Sequence, residues 1–227
     1  MAFTNWFFGM DTNSAPPFPC AGNGAHFYIG RIGYGTTHDA GQFNVTTAEA
    51  VGPTTTSTYW DIEGPGSAPP GVTMPQWGVN QANAFYTAWQ STIYSNGSTL
   101  FGDLESGNSG WSGATQAQAQ AIVHGFLQTL AGKGITPGLY VSKDNWNTMV
   151  GAYTSPIPFV LYLAGTDCPG SCTIAENEFN STYTNIVLGG FRTMIWQYAI
   201  PSCTGQTKDL DITPYAGYQT GHWNPTT

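Results

Sequence analysis

The chain has 227 residues, 41 % of them hydrophobic, with 8 Trp, 12 Tyr and 12 Phe, which excludes disorder and allows a sizeable core. Only 8 % of the residues are charged, and 13 acids against 5 bases leave a net charge of −8. That balance argues against a nucleic-acid partner, whose phosphates need a basic surface, and against an anionic membrane.

Short apolar runs alternate with helical patterns along the chain. The stretches "WFFGMD" (6–11), "HFYIGRIG" (26–33) and "STYWDIEG" (57–64) read as the first three strands, rich in aromatics and bounded by Gly, Pro and Asn. Ala82, Phe85, Tyr86, Trp89 and Ile93 recur at helical spacing, which predicts an amphipathic helix over 77–95. A fourth strand follows at "LFGDLE" (100–105). Ala119, Ile122, Val123, Phe126, Leu127 and Leu130 then form one helix face, with a capping-box start in "TQAQ" (115–118) and a stop at Gly132 and Gly134. "TPGLYVS" (136–142) is the fifth strand, after which Asp144 is placed to cap a short helix carrying Trp146, Met149, Val150 and Tyr153. "PFVLYLAG" (158–165), "RTMIWQYA" (192–199) and "LDIT" (210–213) complete eight strands.

Strands that alternate with helices imply parallel βαβ units. The expected fold is therefore α/β: a single TIM-like (β/α) barrel over 1–227, with eight strands and reduced late helices. The alternative, a doubly wound sheet, would carry a glycine-rich phosphate loop after the first strand, and "GMDTNSAPP" is not one.

Two D-x-E pairs stand at strand ends: Asp61 with Glu63, and Asp103 with Glu105. Residues i and i+2 of a strand share a face, so both members of a pair project toward the C-terminal mouth, where barrel enzymes keep their chemistry. Asp11 ends the first strand and Asp211 lies in the last. An isolated D-x-E is more often a solvated loop, but acids recurring at four strand ends in a low-charge chain converge on one rim. Like charges held close leave one carboxyl protonated near neutral pH, which is the equipment for cleaving a glycosidic bond. Trp60, Tyr162, Trp196 and Tyr198 offer flat faces for sugar rings, and Gln197 offers an amide for hydroxyls. The four histidines are scattered and receive no role.

The order of motifs resembles the glycoside hydrolase family 25 lysozymes, which cleave peptidoglycan: "FFGMD", "FGDLE", "GLYVS", "YLA", "WQYA" and "LDIT" follow one pattern. The opening "GMDTNSAPP" with "FNVTTAEA" (43–50) is similar to a bacterial glycoside-hydrolase-like branch of that superfamily. The resemblance implies a (β/α) barrel with late helices missing, Glu105 as general acid, and Asp103 as the partner that steadies the acetamido group or the developing positive charge. Asp11 and Asp211 would complete an acidic ring. "KDLDIT" admits a second register with Asp209, though L-D-I-T fits better. Asp61 and Glu63 are additions to the family pattern, and Tyr162 stands where the family's sixth strand usually has Trp.

The expected function is a secreted or surface glycoside hydrolase, lysozyme-like, acting on a cell-wall glycan without metal or cofactor. The alternative is a non-catalytic glycan-binding or surface-assembly protein on the same barrel, able to self-associate. A phosphodiesterase or metal-dependent deacetylase is disfavoured because the expected histidine ligands do not lie near the strand ends. The four cysteines, Cys20, Cys168, Cys172 and Cys203, allow two disulfides in three pairings, and "CPGSC" lacks the second pair or histidine that zinc needs. No run of 18 apolar residues suggests a membrane span. Export is expected through a signal since removed or by another route, and the sequons at Asn44, Asn96 and Asn180 matter only in a glycosylating pathway.

Overall fold

The computed structural model describes residues 6–11, 26–39, 41, 43, 45–51, 56–92, 99–165, 172–199 and 210–214. Eight strands close a barrel: β1 (Phe7–Met10), β2 (Phe27–Tyr34), β4 (Thr56–Asp61), β5 (Thr99–Asp103), β6 (Thr136–Ser142), β7 (Val160–Ala164), β9 (Phe191–Ala199) and β10 (Leu210–Thr213). Two short strands hang from it as hairpins, β3 (Thr37–His38) on β2 and β8 (Val187–Leu188) on β9. From β1 through β9 each barrel strand pairs in parallel with its neighbour. The last strand departs from the expected all-parallel pattern. β10 runs antiparallel to both β9 and β1 and so closes the ring.

All eight expected strands are present, and two of the predicted helices sit where periodicity put them. α2 (Met74–Gln90) starts earlier than expected, because Thr73 caps it with a hydroxyl that accepts from the Gln76 amide and Pro75 occupies its first turn. α3 (Gln116–Gly132) begins on the expected capping box, with Thr115 and Gln118 each bonding the other's backbone N–H. The short helix after β6 is different. α4 (Lys143–Asn145) is capped by Ser142, whose Oγ accepts from the Asn145 amide at 3.0 Å, and not by Asp144, which lies in the first turn. It continues as a π-helical turn over Trp146–Val150, leaving Tyr153 beyond it. α1 (Val45–Val51) and α5 (Cys172–Ser181) have no counterpart in the sequence reading.

Alternation along each strand divides the side chains between two cores. Inside the barrel, Phe27, Ile29, Phe101, Val160, Tyr162, Met194 and Ile195 pack with Tyr59 and Tyr140 above them. Outside, a larger cluster seats α2, α3 and α5 against the strands. The barrel filling depends on Gly9 and Gly138, where a Cβ would come within 2.4 Å of the Phe27 ring and 2.3 Å of the Phe101 ring.

Candidate active site

The inward face of the barrel carries the acids at its C-terminal end. Asp61, Asp103, Tyr140 and Tyr162 are direct ladder partners across β4, β5, β6 and β7, which sets them side by side in one layer. Strand spacing makes that step about 4.8 Å. Glu105 lies two residues beyond Asp103, just past the end of β5, in a turn closed by the Asn108 amide donating to the Glu105 carbonyl at 3.1 Å. Asp11 follows β1, and Asp211 lies within β10 opposite Gly9 and Gln197.

Hydrogen bonds tie the deep side of this ring together. The Tyr162 hydroxyl lies 2.8 Å from Asp11 Oδ2 and 2.5 Å from Asp211 Oδ1. Gln197 Nε2 donates to Asp11 Oδ2 at 2.9 Å, and its Oε1 accepts from the Tyr140 hydroxyl at 2.6 Å. Asp211 is fully buried. The structure thus brings Asp11, Asp103, Asp211, Tyr162 and Gln197 to one site, with Glu105 and Asp61 toward its mouth. Asp209 lies outside the described residues.

Burial governs the protonation of these groups. Asp103 is 8 % exposed, and its Oδ1 has no hydrogen-bond partner among the described residues. Desolvation pushes its carboxyl well above the usual range, reinforced by the charges of Glu105, Asp61 and Asp11 and opposed by Asn108. Burial also raises Glu105. Asp61 is pushed up to about 6 by burial, against the Arg31 guanidinium that lowers it. Arg31 holds Asp61 Oδ2 at 2.9 Å and reaches Asp39 Oδ2 at 3.6 Å. The phenols of Tyr59, Tyr140 and Tyr162 are all driven up, first by burial and then by neighbouring acids, so they remain proton donors.

Asp61 and Glu63 open onto an adjacent polar cleft of about 330 Å³, lined also by Arg31, Tyr34, Asn108 and Ser109. The loop carrying Glu63 is fixed from outside the barrel. Gln81 of α2, fully buried, accepts from the Glu63 amide at 2.7 Å and donates to its carbonyl at 3.1 Å, while Trp77 Nε1 donates to that carbonyl at 3.0 Å.

Three of the expected sugar platforms are not on this face. Trp60 is fully buried toward α2, stacked on Phe85 at 5.3 Å, with its Nε1 donating to the Gly35 carbonyl. Trp196 is buried against Tyr183 at 3.9 Å, and Tyr198 packs against Phe8 and Trp196. Each neighbours an inward residue on its own strand, so alternation turns it outward. Tyr162 does reach the site, by its hydroxyl and not by an open ring face. Sequence reasoning missed Arg31, Tyr140, Gln81 and Asn108. Arg31 carried a visible signal, a cation inside the apolar strand "FYIGRIGY".

Among the described residues, no group of three or more His, Cys, Asp and Glu side chains is arranged to hold a metal ion, and no helix is long and apolar enough to cross a membrane. The side chains of the four cysteines lie outside the described residues, as do Asn44 and Asn96.

No protein-family model and no curated protein matches the chain. Solved structures do match it. A muramidase from Trichobolus zukalii is 19 % identical with a TM-score of 0.61, the match covering 92 % of each chain. A muramidase from Acremonium alcalophilum is 17 % identical with a TM-score of 0.60, over 96 % of this chain and 100 % of that one. A family 25 glycosyl hydrolase from Bacillus anthracis gives 10 % identity and a TM-score of 0.53, over 92 % and 88 %. The barrel is the fold of these muramidases and of this glycosyl hydrolase.

Proposed function

We propose that this protein is a glycoside hydrolase that cleaves a cell-wall glycan, peptidoglycan first among them, outside the cell that makes it. The observation that carries the reading is the pair formed by Asp103, at the end of β5, and Glu105, two residues beyond it, beside Asp11, Asp61 and Asp211. Its support from relatives is the shared barrel of proteins named muramidases.

The chemistry follows from the environment of the pair. Burial shifts both Asp103 and Glu105 toward the protonated form, and the neighbouring Glu105 charge adds to the shift of Asp103. Glu105, the less buried, is the group to protonate the leaving glycosidic oxygen. Asp103 lies deeper and takes the role of steadying the developing positive charge or the acetamido group. The polar cleft beside Asp61 and Glu63 accepts the neighbouring sugar, with Tyr34, 37 % exposed at its edge, as an aromatic surface.

The test is reducing-end release from purified peptidoglycan and from chitin, comparing the parent with Glu105→Gln. Loss of a general acid lowers the rate about 100-fold or more, with glycan binding retained. Equal rates in parent and variant would remove Glu105 from the mechanism. Binding without release in the parent would leave a glycan-binding barrel.

A further inference from the structure

Two buried acids and one phenol meet at the bottom of the site in a way that fixes a proton count. Tyr162 Oη is within hydrogen-bonding distance of both Asp11 Oδ2, at 2.8 Å, and Asp211 Oδ1, at 2.5 Å. A phenol has one hydrogen and donates once. With both carboxylates ionised, one of these contacts would set phenol lone pairs against carboxylate lone pairs in a place shut off from water. One added proton turns both contacts into hydrogen bonds, because an acid O–H donates to Tyr162 Oη and Tyr162 donates onward to the other carboxylate.

The neighbours decide where that proton sits. Asp11 Oδ2 receives a second donor, Gln197 Nε2, and Tyr140 fixes the orientation of that amide by donating to its Oε1. Two donors at one oxygen favour the ionised form of Asp11. Asp211 is the acid with no solvent exposure at all, the setting that most disfavours a charge.

We infer that Asp211 holds a proton at neutral pH and donates it to Tyr162, which in turn donates to an ionised Asp11. The three residues form a relay that brings one negative charge to the acid ring instead of two. Around it stand Asp103 and Glu105 from β5, Tyr59 and Asp61 from β4, Tyr140 from β6, and Arg31 from β2, which is committed to Asp61 and Asp39. Tyr162 is then a positioning residue: it holds the Asp11 charge near Asp103, where that charge helps retain a proton. This consequence rests on the glycosidase reading of the site, whereas the proton count does not.

Infrared difference spectroscopy on the full chain at neutral pH, with no glycan present, tests the count directly. The parent-minus-Asp211→Asn spectrum is expected to show a buried carboxylic-acid carbonyl band that the Asp103→Asn variant retains. A difference spectrum showing only carboxylate bands would overturn the assignment. Should Asp211→Asn fail to fold, Tyr162→Phe keeps both acids and removes only the relay hydroxyl. The acid band must then move, because its O–H loses its acceptor, and a band that stays in place overturns the relay. Since no glycan enters the measurement, its outcome is independent of whether peptidoglycan is the substrate.

Discussion

Asp61 and Asp103 face each other across the β4–β5 ladder, yet their surroundings treat them differently. Both are pushed toward the neutral form by burial, but only Asp61 has a cation in contact, the Arg31 guanidinium at 2.9 Å. That contact restrains Asp61 to about 6. Replacing Arg31 with Met removes the restraint while keeping an apolar stem of similar length, so the Asp61 carboxyl is expected to titrate higher, measured by carbon-detected NMR of its side-chain carboxyl. An unmoved titration would mean that burial alone sets it. The acids were legible in the sequence because charge is scarce in this chain and recurs at strand ends. The platforms were misassigned because strand parity was not applied to them. Trp60 adjoins Asp61, and Trp196 and Tyr198 flank Gln197, so inward acids and amides require outward aromatics.

At the scale of elements, α2 and α3 pack unusually closely, and two glycines permit it. A Cβ at Gly78 would lie 2.1 Å from the Ile122 carbonyl oxygen, and one at Gly125 would lie 2.3 Å from that of Pro75. Both obstacles are backbone, which cannot turn aside as a side chain does. Gly78→Ala is therefore expected to cost about 3 kcal/mol by forcing the helices apart, despite the gain in helix propensity, and to lower Tm by roughly 6–12 °C. Gly132→Ala, at the end of α3 with nothing within 4 Å, is the control, expected to leave Tm unchanged or raise it. Equal effects from the two substitutions would show that the close approach is not what matters. Local signals such as apolar runs and the Thr115 capping box made these elements readable from sequence. The direction of β10 was not readable, because "LDIT" has the same pattern whichever way it runs and only the partners β9 and β1 decide. α1 was hidden by its β-branched residues, Val45, Thr46 and Thr47, which favour strand over helix.

Over the whole molecule, the net charge of −8 is concentrated where it is least comfortable. Asp61, Glu63, Asp103 and Glu105 share one region, and burial raises all four above their ordinary values. The consequence for stability has a definite sign. Between the unfolded value of 3.8 and the folded value of about 6, Asp61 binds more protons in the native state than in the unfolded chain. Stability that is fully present below the unfolded value is lost as the pH rises through the folded one, and the other three acids add to it in the same sense. Most globular proteins lose stability on mild acidification because paired carboxylates must be protonated, whereas here the acids relax when protonated. Tm is accordingly expected to rise by about 5 °C from pH 7 to about pH 5, measured by calorimetry at constant ionic strength. Asp61→Asn supplies the neutral form permanently, so its Tm is expected to depend less on pH over the same interval and to meet or exceed the parent's at pH 7. A parent Tm that falls across this interval would show that the native state tolerates the clustered charges.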